Sequence, residues 1–462
     1  MKKTFALLLL ATLLFSAGCN QSTDSTTTAA VTEAPVVEES ATDKLNALAG
    51  KLDSPEAIEL AKALAWDEYV ESVKQPIKLR NGKTIYRKDE IQRNKTTEIK
   101  IGTKTMKVMT KVVGSAPEGG YPLFLVYHGG GYDPSGETNE SQWKGMAERY
   151  AHIPGIYCSI RSISDNESSG QIFSTAESWE FYDRIIEDCI VFMNANPNQV
   201  YIVGYSAGGN GVYQIAPRIT DRLAAATMTA GHPEGIDLTN LFNLPFYLQV
   251  GELDTAYSRH TITVEYCQKL DDLAARKGGG YIHECFVHAG TQHGLVGDNK
   301  SSQTVIADLP AWLNAQQNGT AYTGGTKTAE THAAKLMTTH TRDPIPTRVI
   351  WNLTTTKDSN AQRGLTTFYW LSTEATGGAV DISYDKSTNT ITVKTCTIRG
   401  GALTVYLNED MVDLFKPVTI KLPSGKEITF TPEISVDVIR KTTQERGDKN
   451  YQFCAAYTFY AQ

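Results

Sequence analysis

The chain has 462 residues, enough for two or three domains with cores of their own. A net charge of −7 and the lack of a basic tract argue against nucleic acid as a main partner. The 37 glycines, 17 prolines and 22 tyrosines fit a loop-rich soluble body.

The chain starts with Lys2 and Lys3, an apolar run over residues 5–15, and then Ser16-Ala17-Gly18-Cys19. A basic start, a short apolar stretch and small residues read as an export signal, too short for a permanent membrane helix. Small residues directly before a cysteine resemble the bacterial lipobox, which implies a signal over residues 1–18 and a lipidated Cys19. Ser16 departs from that pattern, where leucine is commonest. The simpler alternative is cleavage to a free secreted protein. No other stretch is apolar enough to span a bilayer, so the membrane is met through the N-terminal lipid only. Residues 19–53, rich in Ser, Thr, Ala, Val and Glu near their start, read as a disordered tether.

Ser54-Pro55-Glu56 is a helix start, with a capping serine and proline at the first helical position. Residues 77–113 alternate like antiparallel strands, with Asn81-Gly82 and Gly102 as turns. From residue 123 onward, apolar strand-like runs (123–127, 156–160, 200–203, 224–229, 246–251, 281–287) alternate with helix-like segments (142–152, 175–194, 207–222, 258–276, 303–317). Such alternation means a mainly parallel sheet with helices on both faces, whose sites gather at the carboxyl ends of the strands. Beyond residue 331 helical periodicity mostly disappears. Runs at 380–384, 390–395, 403–407, 418–422 and 427–430 predict an all-β, sandwich-like accessory domain over 331–462, after a first domain over 54–330.

The chemistry centres on Gly204-Tyr205-Ser206-Ala207-Gly208, a G-x-S-x-G pattern between a β-prone run and a helical segment. In a nucleophile elbow the serine holds a strained backbone and its hydroxyl stands clear. His128-Gly129-Gly130-Gly131 follows an earlier strand, where glycines let backbone N–H groups approach an oxyanion; Ala207 N–H would complete the hole. Asp254 follows the strand over 246–251 and is the candidate acid, with Glu252 as runner-up. His293, in a glycine-flanked loop after the last strand, is the candidate base; His288 and His283 read as structural or pocket residues. The chain order Ser, Asp, His fits this assignment.

These motifs (HGGG at His128, GYSAGG at Gly204, GELD at Gly251, GTQHG at Gly290) resemble the α/β-hydrolase superfamily in its esterase and prolyl-oligopeptidase-like branch, over residues 122–318. The resemblance implies Ser206 as nucleophile, His293 as base, Asp254 as its partner, and Gly130, Gly131 and Ala207 lining the oxyanion hole, with Gly129 in reserve. It calls for no cofactor and no metal. The expected function is an exported serine carboxylic-ester hydrolase working through an acyl-serine, with polysaccharide-linked acetyl or aryl esters as candidate substrates. A serine peptidase is the second reading. The third is a carbohydrate-binding lipoprotein with an inactive hydrolase domain, its platform drawn from Trp351, Phe368, Tyr369 and Trp370. Two lesser expectations complete the reading. Asn408, Asp410 and Asp413 lack the spacing of a calcium loop. Cys158, Cys189, Cys267, Cys285, Cys396 and Cys454 lack the close spacing of a metal site and leave disulfide pairing open.

Overall fold

A computed structural model describes residues 39–78, 82–294, 296–298, 303–356 and 366–461. The proposed signal, Cys19 and most of the tether lie outside the described residues. Residues 40–462 form one compact unit.

Its largest element is a ten-stranded sheet. The strands are β1 (Thr96–Ile101), β2 (Lys104–Val113), β3 (Tyr121–Tyr127), β4 (Gly155–Ile160) and β5 (Ala195–Tyr205). They continue with β6 (Ala225–Thr229), β7 (Phe246–Gly251), β8 (His283–His288), β9 (Thr304–Ile306) and β10 (Thr326–Thr328). The spatial order is β10-β9-β8-β7-β6-β5-β3-β4-β2-β1. The six strands β3 to β8 are mutually parallel; β1, β2, β9 and β10 pair antiparallel at the two edges. The register aligns the carboxyl ends: Tyr127 pairs with Gly204, Tyr205 with Thr229, and Gly251 with His288. Because β3 has β4 on one side and β5 on the other, the winding direction reverses there, which opens a crevice at that end.

Side-chain alternation along the strands divides the core into two layers. Leu123, Leu125, Val200 and Ile202 face helices Ser178–Met193 and Ala207–Ile215; Phe124, Val126, Tyr201 and Val203 face Met146, Tyr150 and, from helix Ala333–Met337, Ala333 and Met337. The sheet's cover thus extends past residue 331. The expected helix over 303–317 is instead strand β9 followed by helix Leu309–Gln317, because Asp308 caps the helix by accepting from Ala311 N–H and Pro310 sits in its first turn.

The C-terminal region carries two further sheets of five and four strands. It is not purely β: helix Val436–Arg446 lies within it, its periodicity hidden by a polar composition. Helix Pro55–Lys74, capped by Ser54, shares its core with these sheets through Ile58, Ala61 and Ala65. Order begins before residue 54, since Ala41–Asn46 is a helix whose Leu45 is buried in that same core. Trp351, Phe368, Tyr369 and Trp370 are all buried there, so they form no sugar platform. Asn408 and Asp413 are likewise spent on turns: Asn408 accepts from Asp410 N–H and Asp413 from Phe415 N–H.

The C-terminal part meets the large sheet at Asp221, a buried carboxylate between helix Ala207–Ile215 and β6. It accepts from Arg446 at 2.5 Å, while its carbonyl accepts from Tyr451 Oη at 2.5 Å and Arg342 at 3.1 Å. Arg342 also pairs with buried Asp448 at 2.6 Å. A buried ion pair need not add net stability, but stripping one partner leaves an uncompensated charge. Arg446→Met should therefore lower unfolding free energy by about 3–5 kcal/mol, read as a fall in the urea midpoint at unchanged m-value.

Candidate active site

Ser206 sits between β5 and helix Ala207–Ile215 with φ 57° and ψ −116°. Its N–H donates to Thr229 carbonyl at 3.0 Å, fixing the turn to the next strand. The flanking glycines are demanded by close packing. A Cβ on Gly204 would lie 2.2 Å from Gly208 O, one on Gly208 2.3 Å from Tyr127 O, and one on Gly209 2.5 Å from Thr229 O. All three obstacles are backbone atoms that no rotamer change could move.

The candidate acid and base come from adjacent strand ends that are stitched together. Leu253 N–H donates to Thr291 O at 2.8 Å, and Glu252 N–H to His288 O at 2.9 Å. Gly290 N–H in turn donates to the Glu252 carboxylate at 2.8 Å. A side chain on Gly251 would strike the carbonyls of Thr291 and Gln292 at 2.3 and 2.4 Å. This brings Asp254 Oδ2 to 2.7 Å from His293 Nδ1, and His293 Nε2 to 3.0 Å from Ser206 Oγ. Asp254 is buried while His293 is about a third exposed, so the pair points from the protein interior toward solvent. Arg259 lies 3.4 Å from the other Asp254 oxygen. Tyr205 stacks on the His293 ring, with centroids 5.4 Å apart.

The other candidates from sequence fall elsewhere. Glu252 organises the histidine loop and does not reach the imidazole. His288 is buried against Gln249 at 3.0 Å, and His283 hydrogen-bonds the Tyr281 carbonyl at the opposite end of β8.

At the glycine run, Gly130 and Gly131 have φ of +118° and +142°, which favour glycine. Gly131 differs from expectation: its N–H donates to Asn139 Oδ1 at 3.0 Å and is already satisfied. Gly130 and Ala207 remain as candidate donors, with Gly129 still in reserve. Asn139 is buried and also donates to Gly131 O at 2.8 Å and Asp165 Oδ1 at 2.7 Å. It clamps the loop from both sides, and Asp133 N–H to Asp165 O at 2.8 Å ties the two polar loops together. Asn139 and Tyr205 carry no sequence signal of these roles, because each acts through a neighbour brought close only by the fold.

His128 is fully buried, its Nδ1 2.6 Å from Gly129 O and its Nε2 3.3 Å from Ser162 N–H. The ring is a neutral strut, with Nδ1 as donor and Nε2 as acceptor.

The parallel order around the switch point, with a serine turn after β5, is that of an α/β hydrolase. The fold is an α/β-hydrolase fold. No family model matches the sequence, and no curated protein is significantly similar to it. Among solved structures, a thermostable esterase superposes with a TM-score of 0.36 at 15% identity, over 58% of this chain and 70% of that one. The poly(3-hydroxybutyrate) depolymerase of Bordetella parapertussis gives 0.33 at 16% identity, over 51% and 88%. A hyperthermophilic esterase from Pyrobaculum calidifontis gives 0.32 at 16% identity, over 54% and 88%. At these levels neither reaction nor substrate is inferred from them.

Burial lowers the His128 pKa from 6.5 to about 4. Between those values the unfolded chain takes up a proton that the folded chain refuses, so stability falls as pH drops from about 6.5 to about 4. The contribution amounts to at most about 3 kcal/mol. Urea denaturation across that range should show this loss, and His128→Gln should flatten its slope.

Proposed function

We propose that the chain is a serine carboxylic-ester hydrolase acting through an acyl-serine. The observation that carries this reading is the hydrogen-bonded series from Asp254 to His293 to Ser206, at 2.7 and 3.0 Å. In this mechanism His293 Nε2 takes the Ser206 proton as Oγ attacks the ester carbonyl carbon. The carbonyl π pair moves to oxygen, and the N–H groups of Gly130 and Ala207 hold that charge. Collapse expels the alcohol, which receives the proton from His293. Water, deprotonated by the same imidazole, then releases the acid and restores the serine. Asp254 keeps Nδ1 protonated and stabilises the transient imidazolium.

The leader-like N-terminus and Cys19 support placement outside the cytoplasm on a lipid anchor, where acetyl or aryl esters of polysaccharide are the substrate class we favour. The half-open setting of His293 suits an acyl group carried on a bulky alcohol.

A panel of acyl esters and amides is the direct test. Ester turnover should fall by at least about four orders of magnitude in Ser206→Ala and by about four in Asp254→Asn. Amide turnover at a comparable rate would favour a peptidase, and ester turnover surviving in Ser206→Ala would remove the serine from the mechanism. For the anchor, Cys19→Ala should shift the protein from the membrane fraction to the soluble one and abolish labelling by a fatty-acid probe.

A further inference from the structure

At the far end of β8 from the His293 loop, three side chains with metal-binding chemistry converge, Cys267, Asp271 and His283, and a fourth, Cys285, adjoins them through Cys267. Cys267 and Asp271 stand one turn apart on helix Arg259–Lys277 and so share a face. His283 and Cys285 flank Glu284 on β8 and share a strand face. Packing of helix against strand joins the two pairs. Cys267 stands beside both Cys285 and His283. His283 Nε2 lies 3.3 Å from Asp271 Oδ1, and the donor atoms of Cys267, Asp271 and His283 all fall within 4.8 Å of one another.

The orientation of His283 adds an independent indication. Its Nδ1 lies 2.6 Å from the Tyr281 carbonyl. That contact places a proton on Nδ1 and turns Nε2, 3.3 Å from the Asp271 carboxylate, toward the cluster, where Nε2 gives up its own proton to solvent when an ion binds. A backbone carbonyl fixing the tautomer in this way is the usual outer-sphere support of a ligating imidazole. Two sulfurs, one imidazole nitrogen and one carboxylate oxygen suit a borderline-soft ion in tetrahedral geometry, and they disfavour magnesium or calcium.

We propose that Cys267, Asp271, His283 and Cys285 form a binding site for a zinc-class divalent ion. On binding, each thiol loses its proton to solvent and its sulfur coordinates the ion, joined by His283 Nε2 and an Asp271 oxygen. With four protein ligands no position is left for substrate, so the role is structural. The ion clips helix Arg259–Lys277 to β8, the strand that leads into the loop of His293. The thiols and imidazole come from segments that also pack in the core, whereas Asp271 is largely exposed and gives the ion its way in.

Zinc uptake by the full chain tests the site. The reduced, metal-free protein should bind about one zinc ion per chain, measured by elemental analysis and by competition with a chromophoric chelator. Cobalt(II) added to the same wild-type protein should produce a thiolate-to-metal charge-transfer band and the intense visible bands of a tetrahedral site. Cys267→Ser and Cys285→Ser should each weaken zinc binding by at least about a hundredfold. Chelation should lower the thermal midpoint of the wild type and leave those variants unchanged. Failure of the reduced wild type to take up zinc or to show the cobalt spectrum overturns the proposal, whatever the variants do. So does a Cys267–Cys285 disulfide whose reduction still yields no metal binding, or unchanged affinity in Cys267→Ser.

Discussion

Everything at the proposed active site depends on one backbone constraint, the positive φ of Ser206 at the end of β5. A residue in that conformation is strained, and the strain persists only because the neighbours over-determine it. Here they do so through the Ser206 N–H bond to Thr229 and through backbone contacts that would place a Cβ at 204 or 208 within 2.3 Å of a carbonyl oxygen. The helix that follows is thereby pressed against the ends of β3 and β6, and Ala207 N–H is left beside Ser206. Relaxing the turn would move the Ser206 hydroxyl and that N–H together.

The proposed acid and base, Asp254 and His293, reach that turn on loops that are rigid for a different reason. Their backbones hydrogen-bond each other across the ends of β7 and β8, and the Glu252 carboxylate closes the arrangement by binding Gly290 N–H. The imidazole therefore inherits its position from two adjacent parallel strands whose register is set by the buried sheet. The glycine run before the nucleophile is held by side chains instead, with Asn139 spanning Gly131 and Asp165. Buried, fully used amides of this kind specify geometry, because any other loop conformation would leave polar groups unpaired.

The remaining third of the molecule is joined to the sheet by charge as much as by apolar packing. Asp221 gathers Arg446, Arg342 and Tyr451 from chain segments more than a hundred residues away. Trp351, Phe368, Tyr369 and Trp370 turn inward to its own core and form no surface platform. The region's bond to the sheet is a buried polar seam.

Local pattern was enough to establish the alternating strands and helices, the elbow around Ser206, and the order of serine, acid and histidine. Each of these is a short-range signal: a period of two or 3.6, a glycine needed at a tight turn, a cap such as Ser54. The preference for His293 over His288 came from its glycine-flanked loop, and Asp254 was preferred to Glu252, which stands closer to the strand end. Long-range contacts were illegible. The Gly131 N–H looked available until Asn139, eight residues on, was folded against it. Helix Val436–Arg446 was hidden in a polar stretch, and helix Pro55–Lys74 gave no sign of packing on strands three hundred residues later. Cys267 and Cys285 gave no sign of standing together because the helix and strand that carry them meet only on folding. Sequence by itself determined which backbone conformations and reactive groups the chain possesses. Tertiary structure alone decided which of those groups are already spent on one another, since pairing depends on distances that separation along the chain does not encode.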